Sequence, residues 1–93
     1  MNEFNGPIFR VSKNTEVNKL ASAIYTNMEN LNKIKLSCIG AASTQQAMKA
    51  VATARGMATV AGFDILIQPF FNQVIINDEE KTALEFLLQK SAL

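Results

Sequence analysis

Residues 40–49, which read "GAASTQQAMK", contain the groups best suited to hold an anion. A short apolar run ends at Gly40, and Ser43 or Thr44 can cap a helix that follows it. The start of a helix presents free backbone N–H groups and a partial positive charge, and both favour a phosphate. The stretch lacks the several glycines of a dinucleotide-binding fingerprint and the correctly placed lysine of a P-loop. The pattern alone therefore favours a tight turn over a phosphate site and leaves both interpretations open.

Three polar side chains share one face of this helix, because Lys49 follows Gln45 and Gln46 by four and three residues. A cation near the start of a helix opposes the helix dipole. An anionic partner would explain Lys49, and a solvated lysine explains it equally well. Small side chains elsewhere on the helix permit a close approach of backbones, either to a sheet or to a second subunit. These residues are Ala47, Ala50, Ala52 and Ala54.

Side chains that could catalyse a reaction or bind a metal are few. Histidine, the commonest general base and metal ligand, is absent from the sequence. The carboxylates of Asp78, Glu79 and Glu80 could bind a divalent cation, but they lie in a predicted hairpin turn without the spacing of a calcium loop, which favours a solvated turn. Cys38 is the only cysteine, and it lies on the apolar face of a predicted strand, which favours a buried, unactivated thiol. We therefore predict no catalytic residue, no metal site and no cofactor.

The chain has 93 residues and a net charge of +1, and its length suits one small domain with a thin core that oligomerisation would help. We expect a flexible segment at residues 1–7 and a single domain at residues 8–93. Residues 10–55 hold seven basic and two acidic side chains, and residues 64–85 hold one basic and five acidic ones. This asymmetry permits an anionic partner on one face, or serves only solubility.

Membrane association is not expected from the sequence. No apolar run approaches the length of about 20 residues that spans a bilayer. The N-terminal residues are neither basic nor followed by the apolar core of a signal peptide. We therefore expect a cytoplasmic protein.

The first half of the chain predicts a strand, a helix and a strand. Residues 8–11 form the first strand, and an apolar stripe at three- and four-residue spacing predicts a helix over residues 17–31. Asn32 can adopt the left-handed conformation that ends many helices. Residues 33–39 alternate between apolar and polar side chains, as a strand does. The candidate N-caps of the helix are Ser12, Asn14 and Thr15.

The second half predicts a helix and two strands. The helix that begins near Ser43 or Thr44 ends near Arg55, with Gly56 after it and a loop over residues 57–62. A final strand at residues 82–88 pairs with its neighbour as a hairpin, and Glu85 faces solvent. The order strand, helix, strand, helix, strand, strand is typical of an α+β two-layer domain with both helices on one face of a four-stranded sheet. The remaining strand is expected in two parts, at residues 63–68 and 74–76, around Pro69.

Several runs of the sequence resemble the stage V sporulation protein S family, a branch of the Alba superfamily of small nucleic-acid-binding proteins. The runs are "VS" at residues 11–12, "IGAASTQQAMKAVATARG" at residues 39–56 and "DEEKTA" at residues 78–83. The resemblance extends without a gap from Val11 to about Leu88. It implies the same order of elements in an Alba-like sandwich with a mixed sheet, and it implies dimers or higher homo-oligomers.

The resemblance also implies three contact regions for nucleic acid. They are the basic loop after the first strand, the turn into the second helix, and the hairpin between the last two strands. Lysines there would neutralise phosphates, while backbone N–H groups and amides would bond to sugars or base edges. Carried over by position, the candidate residues are Arg10, Ser12, Lys13, Asn14, Gly40, Ala41, Ser43, Thr44, Gln45, Gln46, Lys49 and Lys81.

The sequence departs from the family pattern at places that affect binding strength. Gln45 stands where the family usually has asparagine, and Asn14 stands where it has lysine. The hairpin is acidic, unlike the basic arm of archaeal Alba, so we expect weak to moderate, salt-sensitive binding. Phe70 or Phe71 could stack on a base, although core packing is the favoured interpretation for both.

Two functional hypotheses follow. The first is a non-enzymatic regulator that binds RNA or DNA as a homo-oligomer and acts in sporulation or developmental gene regulation. The second is a homo-oligomeric interaction or scaffold protein that does not bind nucleic acid. The Ala-rich helix and the acidic second half support the second hypothesis.

Overall fold

The computed structural model describes residues 4–93, in which two helices pack on one face of a four-stranded sheet. The sheet order is β1-β2-β4-β3, with β1 parallel to β2 and the other neighbouring strands antiparallel. This arrangement confirms the predicted α+β fold. Residues 1–3 of the predicted flexible segment lie outside the described residues. The elements are β1 (Ile8–Val11), α1 (Val17–Asn30), β2 (Lys33–Cys38), α2 (Ala41–Ala61), β3 (Phe63–Ile76) and β4 (Glu79–Ala92).

The α1 helix and β2 meet through the side chains that the sequence pattern assigned to the core. The apolar stripe of α1 is buried at every third or fourth residue, as is expected of a helix with one face on a sheet. Alternate residues of β2 face the same core. The predictions for both elements are therefore confirmed. The buried residues are Leu20, Ala21, Ile24 and Met28 of α1 and Ile34, Leu36 and Cys38 of β2.

The α2 helix enters the core mainly through alanines. Ala47, Ala50, Ala54 and Ala58 are each completely buried. Since an alanine side chain is a single methyl group, the helix lies close to the elements beneath it. The sequence analysis allowed these alanines to contact either the sheet or a second subunit. In the structure they pack within their own chain, except for Ala52, which is exposed.

The prediction that α2 ends near Arg55 is wrong. The helix continues through Gly56 to Ala61, so the loop predicted over residues 57–62 is helical. Gly62 is the true end, because it adopts the left-handed conformation (φ 98°) and its N–H bonds to the carbonyls of the last turn. An exposed glycine inside a helix costs only about 1 kcal/mol, which packing of the neighbouring turns offsets.

The β3–β4 hairpin is longer than the sequence predicts, with 14 residues in each strand. Pro69 does not interrupt β3, because β3 is an edge strand and the missing N–H is tolerated there. The pairing of β2 with β4 ends at Leu84, so residues 72–83 extend beyond the rest of the sheet as a two-stranded ribbon, which we call the hairpin arm. Asn77 and Asp78 form its turn with positive φ angles of 52° and 64°, as in a type I′ turn.

The predicted caps of α1 are also wrong. The helix begins at Val17, and Glu16 occupies the N-cap position without a side-chain capping bond. At the other end, Leu31 is the C-cap in an extended conformation, and Asn32 does not have a positive φ. The Thr15 hydroxyl instead accepts from the Ser12 N–H and bonds to the Ser12 hydroxyl, so both hydroxyls are engaged within the loop before α1.

Glu85 does not face solvent, contrary to the prediction. It lies on the face of the sheet opposite the helices, yet only 3% of it is exposed. Lys35 Nζ lies 3.0 Å from its Oε1, and Asn72 Nδ2 donates to the same oxygen at 3.2 Å. The rings of Phe4 and Phe70 flank Lys35 Nζ, with centroids 5.4 and 5.7 Å away. The alternation of side chains along β4 predicts correctly that Glu85 lies on the sheet face opposite the helices. That this position is buried depends on side chains of neighbouring segments, which the sequence pattern of β4 does not show.

The hydrogen bonds to Glu85 favour its charged form. Burial by itself would raise the pKa of Glu85, but hydrogen bonds from Ser37, Lys35 and Asn72 outweigh burial and hold the pKa below its ordinary value. A carboxyl group whose pKa is lowered by folding adds to the free energy of unfolding. This contribution is complete at pH values above the pKa of the unfolded state, which is about 4.3 for glutamate. That contribution is lost as the pH falls through the lower pKa of the folded state.

We expect Lys35→Met to lower the free energy of unfolding by about 3–5 kcal/mol at neutral pH, because it leaves a buried carboxylate without its cation. The loss should shrink at acidic pH, as the pH falls through the lowered pKa of Glu85 and protonation removes the buried charge. Urea unfolding at neutral and at acidic pH measures the difference.

The double variant Lys35→Met with Glu85→Met serves as the control, since replacing both partners removes the unpaired charge. It should recover most of the loss at neutral pH. An equal loss in the single and double variants would show that packing, rather than the charge, accounts for the effect.

Candidate nucleic-acid interface

The loop between β1 and α1 is held by its own hydroxyl groups. The backbone N–H of Ser12 donates to Thr15 Oγ1 at 2.8 Å, and the N–H of Asn14 donates to Ser12 Oγ at 3.1 Å. The N–H of Thr15 in turn donates to the Ser12 carbonyl at 3.1 Å. These bonds order the loop, so Lys13 is exposed at a fixed place on it.

The turn into α2 leaves the start of the helix without a side-chain cap. Gly40 is the N-cap residue, and the predicted caps Ser43 and Thr44 lie inside the helix. The Ser43 hydroxyl donates to the carbonyls of Ile39 and Gly40 at 2.8 and 2.9 Å, and that of Thr44 donates to the Gly40 carbonyl at 3.0 Å. Both hydroxyls therefore bond to carbonyls, and the first backbone N–H groups of α2 remain available to an acceptor. The cap prediction is wrong for this reason.

Gln46 joins the two loops. Its Nε2 donates to the Thr15 carbonyl at 2.8 Å, across 31 positions of the chain. The bond fixes the start of α2 against the end of the β1–α1 loop. Gln46 is therefore a positioning residue, and it does not act together with Gln45 and Lys49, which are exposed.

Between the two loops lies a cleft of about 450 Å³, which we call the cationic cleft. Arg10 and Lys13 supply two positive charges, and no acidic residue stands in the first turn of α2. The uncapped N–H groups add the partial positive charge of the helix start. The cleft thus combines side-chain cations with backbone donors, both of which favour an anion. The candidate residues that line it are Arg10, Ser12, Lys13, Gly40, Ala41 and Ser43.

The other candidate residues lie elsewhere. Thr44 and Gln45 line a second groove, of about 630 Å³, between α2 and the base of the hairpin arm. Asn14 and Lys49 are exposed, and Lys81 lies on the arm opposite Val74.

Sequence reasoning missed residues on the far walls of both cavities. Ser37 and Ile76 line the cationic cleft, and Ile76 arrives there from the hairpin arm, a placement that no local pattern could show. Phe71 lines the second groove and is 76% exposed, so the favoured core packing is wrong for it.

Arg55 is unrelated to the site, because it makes a bidentate bond to Asp64 at 2.7 and 3.2 Å.

The groups considered for enzyme chemistry do not assemble into a site. Burial, with a smaller effect of the Glu85 charge, raises the pKa of the Cys38 thiol to about 11. The thiol is therefore protonated at neutral pH and is a poor nucleophile. Among residues 4–93, no group of three His, Cys, Asp or Glu side chains is placed to hold a metal ion. In the same part of the chain, neither helix has the length and hydropathy of a membrane span.

The fold is that of the Alba type of small α+β protein. The solved structure of Alba from Thermoplasma volcanium matches with a TM-score of 0.59 and 15% sequence identity, covering 90% of this chain and 98% of that chain. The sequence identifies the family more narrowly than the fold does. The model of the stage V sporulation protein S (SpoVS) family matches residues 7–91. The chain therefore belongs to the SpoVS family, which confirms the resemblance found in the sequence.

We expect Gly40→Ala to lower the free energy of unfolding by about 1–3 kcal/mol, because a side chain rarely tolerates this backbone conformation. Gly40 has φ 91° and ψ 161°, although no atom beyond its chain neighbours lies within 4 Å of the position of an added Cβ. Backbone strain rather than a clash is thus the expected cause. Chemical unfolding measures the loss.

Gly56→Ala is the matched control, since its added Cβ also enters open space and its backbone is helical. This change should stabilise the protein by about 0.5–1 kcal/mol. The same sign for both variants would contradict the role of the Gly40 conformation.

Proposed function

We propose that this protein is a non-enzymatic regulator of sporulation or developmental gene expression that binds RNA or DNA. It would act in the cytoplasm through a single domain formed by residues 8–93. The observation that carries the proposal is the cationic cleft, where Arg10 and Lys13 stand beside an uncapped helix start. Membership of the SpoVS family supports the developmental role.

The groups of the cleft suit a phosphate backbone. The guanidinium of Arg10 and the ammonium of Lys13 would neutralise phosphates, and the N–H groups at the start of α2 would bond to phosphate oxygens. The hydroxyls of Ser43 and Thr44 would contribute less, because each already donates to a carbonyl. Lys49 and Lys81 would make outlying contacts. So few cations predict micromolar or weaker affinity that falls steeply with salt.

We expect the protein to bind labelled single-stranded RNA or DNA, or duplex DNA, saturably at low salt. Lys13→Ala should weaken binding to all sequences about equally and reduce the slope of log affinity against log salt by about 1, because one phosphate contact is lost. Fluorescence anisotropy at salt concentrations from about 50 to 200 mM measures both quantities.

Lys33→Ala is the control for charge alone. Lys33 is exposed at the opposite end of β2 from the cleft, so its loss changes the net charge equally without touching the cleft. Its effect on the slope should be small. If the two variants weaken binding equally, the cleft is not the site. If the unaltered protein does not bind even at low salt, the scaffold function replaces the nucleic-acid function.

One surface supports the alternative function as a scaffold protein. The same surface supports the homodimer, which we expect under both functional hypotheses. The side of α2 next to β3 carries two grooves of about 630 Å³ each, which meet at Met48. We call this the α2–β3 surface, and its apolar residues include Ala52, Ile67 and Phe71. Phe71 is 76% exposed there, and a chain this short has little core of its own. A second copy of the chain would cover these side chains.

We expect Phe71→Ser to raise the dissociation constant of the homodimer about tenfold or more, because large buried aromatics dominate interface energies. Sedimentation equilibrium measures the constant. Ile8→Ser is the control, since Ile8 is also about half exposed but lies on β1, remote from this surface. Equal effects of the two substitutions would rule out the α2–β3 surface as the dimer contact.

A further inference from the structure

The hairpin arm ends in exposed carboxylates without a cationic partner among residues 4–93. They belong to Asp78, Glu79 and Glu80, which we call the acidic tip. Arg10 and Lys13 of the cationic cleft are likewise exposed and form no ion pair in that part of the chain. The ion pairs found there are Glu16–Lys19, Lys35–Glu85 and Arg55–Asp64. Both charged groups therefore remain available to another molecule.

The acidic tip forms no ion pair with the cleft of its own chain. Ile76 reaches the wall of that cleft, and its strand partner is Glu79. The two strands pair up to this position, and the turn contains only two residues. The tip therefore lies near its own cleft without lining it, and the exposed cations of the cleft stay open to a second copy.

The cationic cleft complements the acidic tip in charge and in apolar content. The cleft offers Arg10, Lys13 and the start of α2, where a carboxylate is as favourable as a phosphate. Its rim includes Ile39, which is 39% exposed, and the tip is preceded by Ile75, which is 65% exposed. The net charge of +1 means that two copies repel each other little.

We infer that the acidic tip of one copy docks in the cationic cleft of a second copy. The two surfaces of this contact differ, so it is heterologous and can repeat from copy to copy as a ring or an open chain. It differs from the contact proposed through the α2–β3 surface, which shares only Gly40 and Ala41 with the cleft. It links dimers formed there into larger species. Its strength depends on charge, so it weakens as the Debye length falls from about 30 Å at 0.01 M to about 3 Å at 1 M salt.

In one respect the inference rests on the proposed function, because the acidic tip and a nucleic acid would use the same cations. Nucleic acid should then compete with the tip and dissolve the larger species. The self-assembly itself is independent of any nucleic acid and can be measured without one.

The test is a charge exchange between the two surfaces, followed by sedimentation velocity at low and high salt. Unaltered protein should form species larger than a dimer at low salt and lose them at high salt. Arg10→Glu combined with Lys13→Glu should abolish these species, because it makes the cleft acidic like the tip. Glu79→Lys combined with Glu80→Lys should also abolish them, because it makes the tip basic like the cleft. An equimolar mixture of the two variants should form them again, since each tip then meets a cleft of opposite charge.

Lys19→Glu combined with Lys33→Glu, and Glu16→Lys combined with Glu29→Lys, are the matched controls, because they make the same changes of charge at exposed positions outside tip and cleft. Both should assemble as the unaltered protein does. The inference is overturned if the unaltered protein forms no larger species at low salt, or if the mixture fails to restore them. Assembly that persists when no nucleic acid binds at any salt would refute the proposed function and leave the docking contact standing.

Discussion

The α2 helix packs against α1 and the sheet through a face made almost entirely of alanines, and the position of the cationic cleft follows from that contact. Ala47, Ala50, Ala54 and Ala58 leave no room for larger side chains, and overfilling such a site costs about 1–3 kcal/mol. The close approach brings the first turn of α2 against the loop that precedes α1. Gln46 can then bond to the Thr15 carbonyl and hold the two together.

The chemistry of the cleft is electrostatic. The Ser43 hydroxyl donates to carbonyls and the Ser12 hydroxyl bonds within its own loop, so two side-chain cations and a few backbone N–H groups carry the attraction. Such a site recognises the density of negative charge, and it accepts phosphates and carboxylates alike. The placement of basic residues around the cleft and acidic residues on the hairpin arm thus gives one small chain both a receptor for anions and an anionic group that fits it.

The elements that local pattern specifies were predictable, and those that depend on distant residues were not. The stripe of α1 and the alternation of β2 gave correct helix and strand positions. Gly56 and Pro69 each suggested an interruption that the structure does not have, because neighbouring turns or strands supply the bonds that continue the element. Ser43 and Thr44 have the composition of helix caps, but a cap depends on the backbone just before the helix, which Gly40 shapes.

The sequence by itself determined the order of the elements, the core faces of α1 and β2, the buried thiol of Cys38, the family, and the separation of basic and acidic residues along the chain. These properties depend on periodicity and composition, which are local. Only the tertiary structure decided that Arg10, Lys13 and the start of α2 share one cleft, that Glu85 is buried with Lys35, and that the acidic hairpin extends as an arm. Each of these depends on contacts between segments far apart in the chain, which form only when the sheet and both helices have packed.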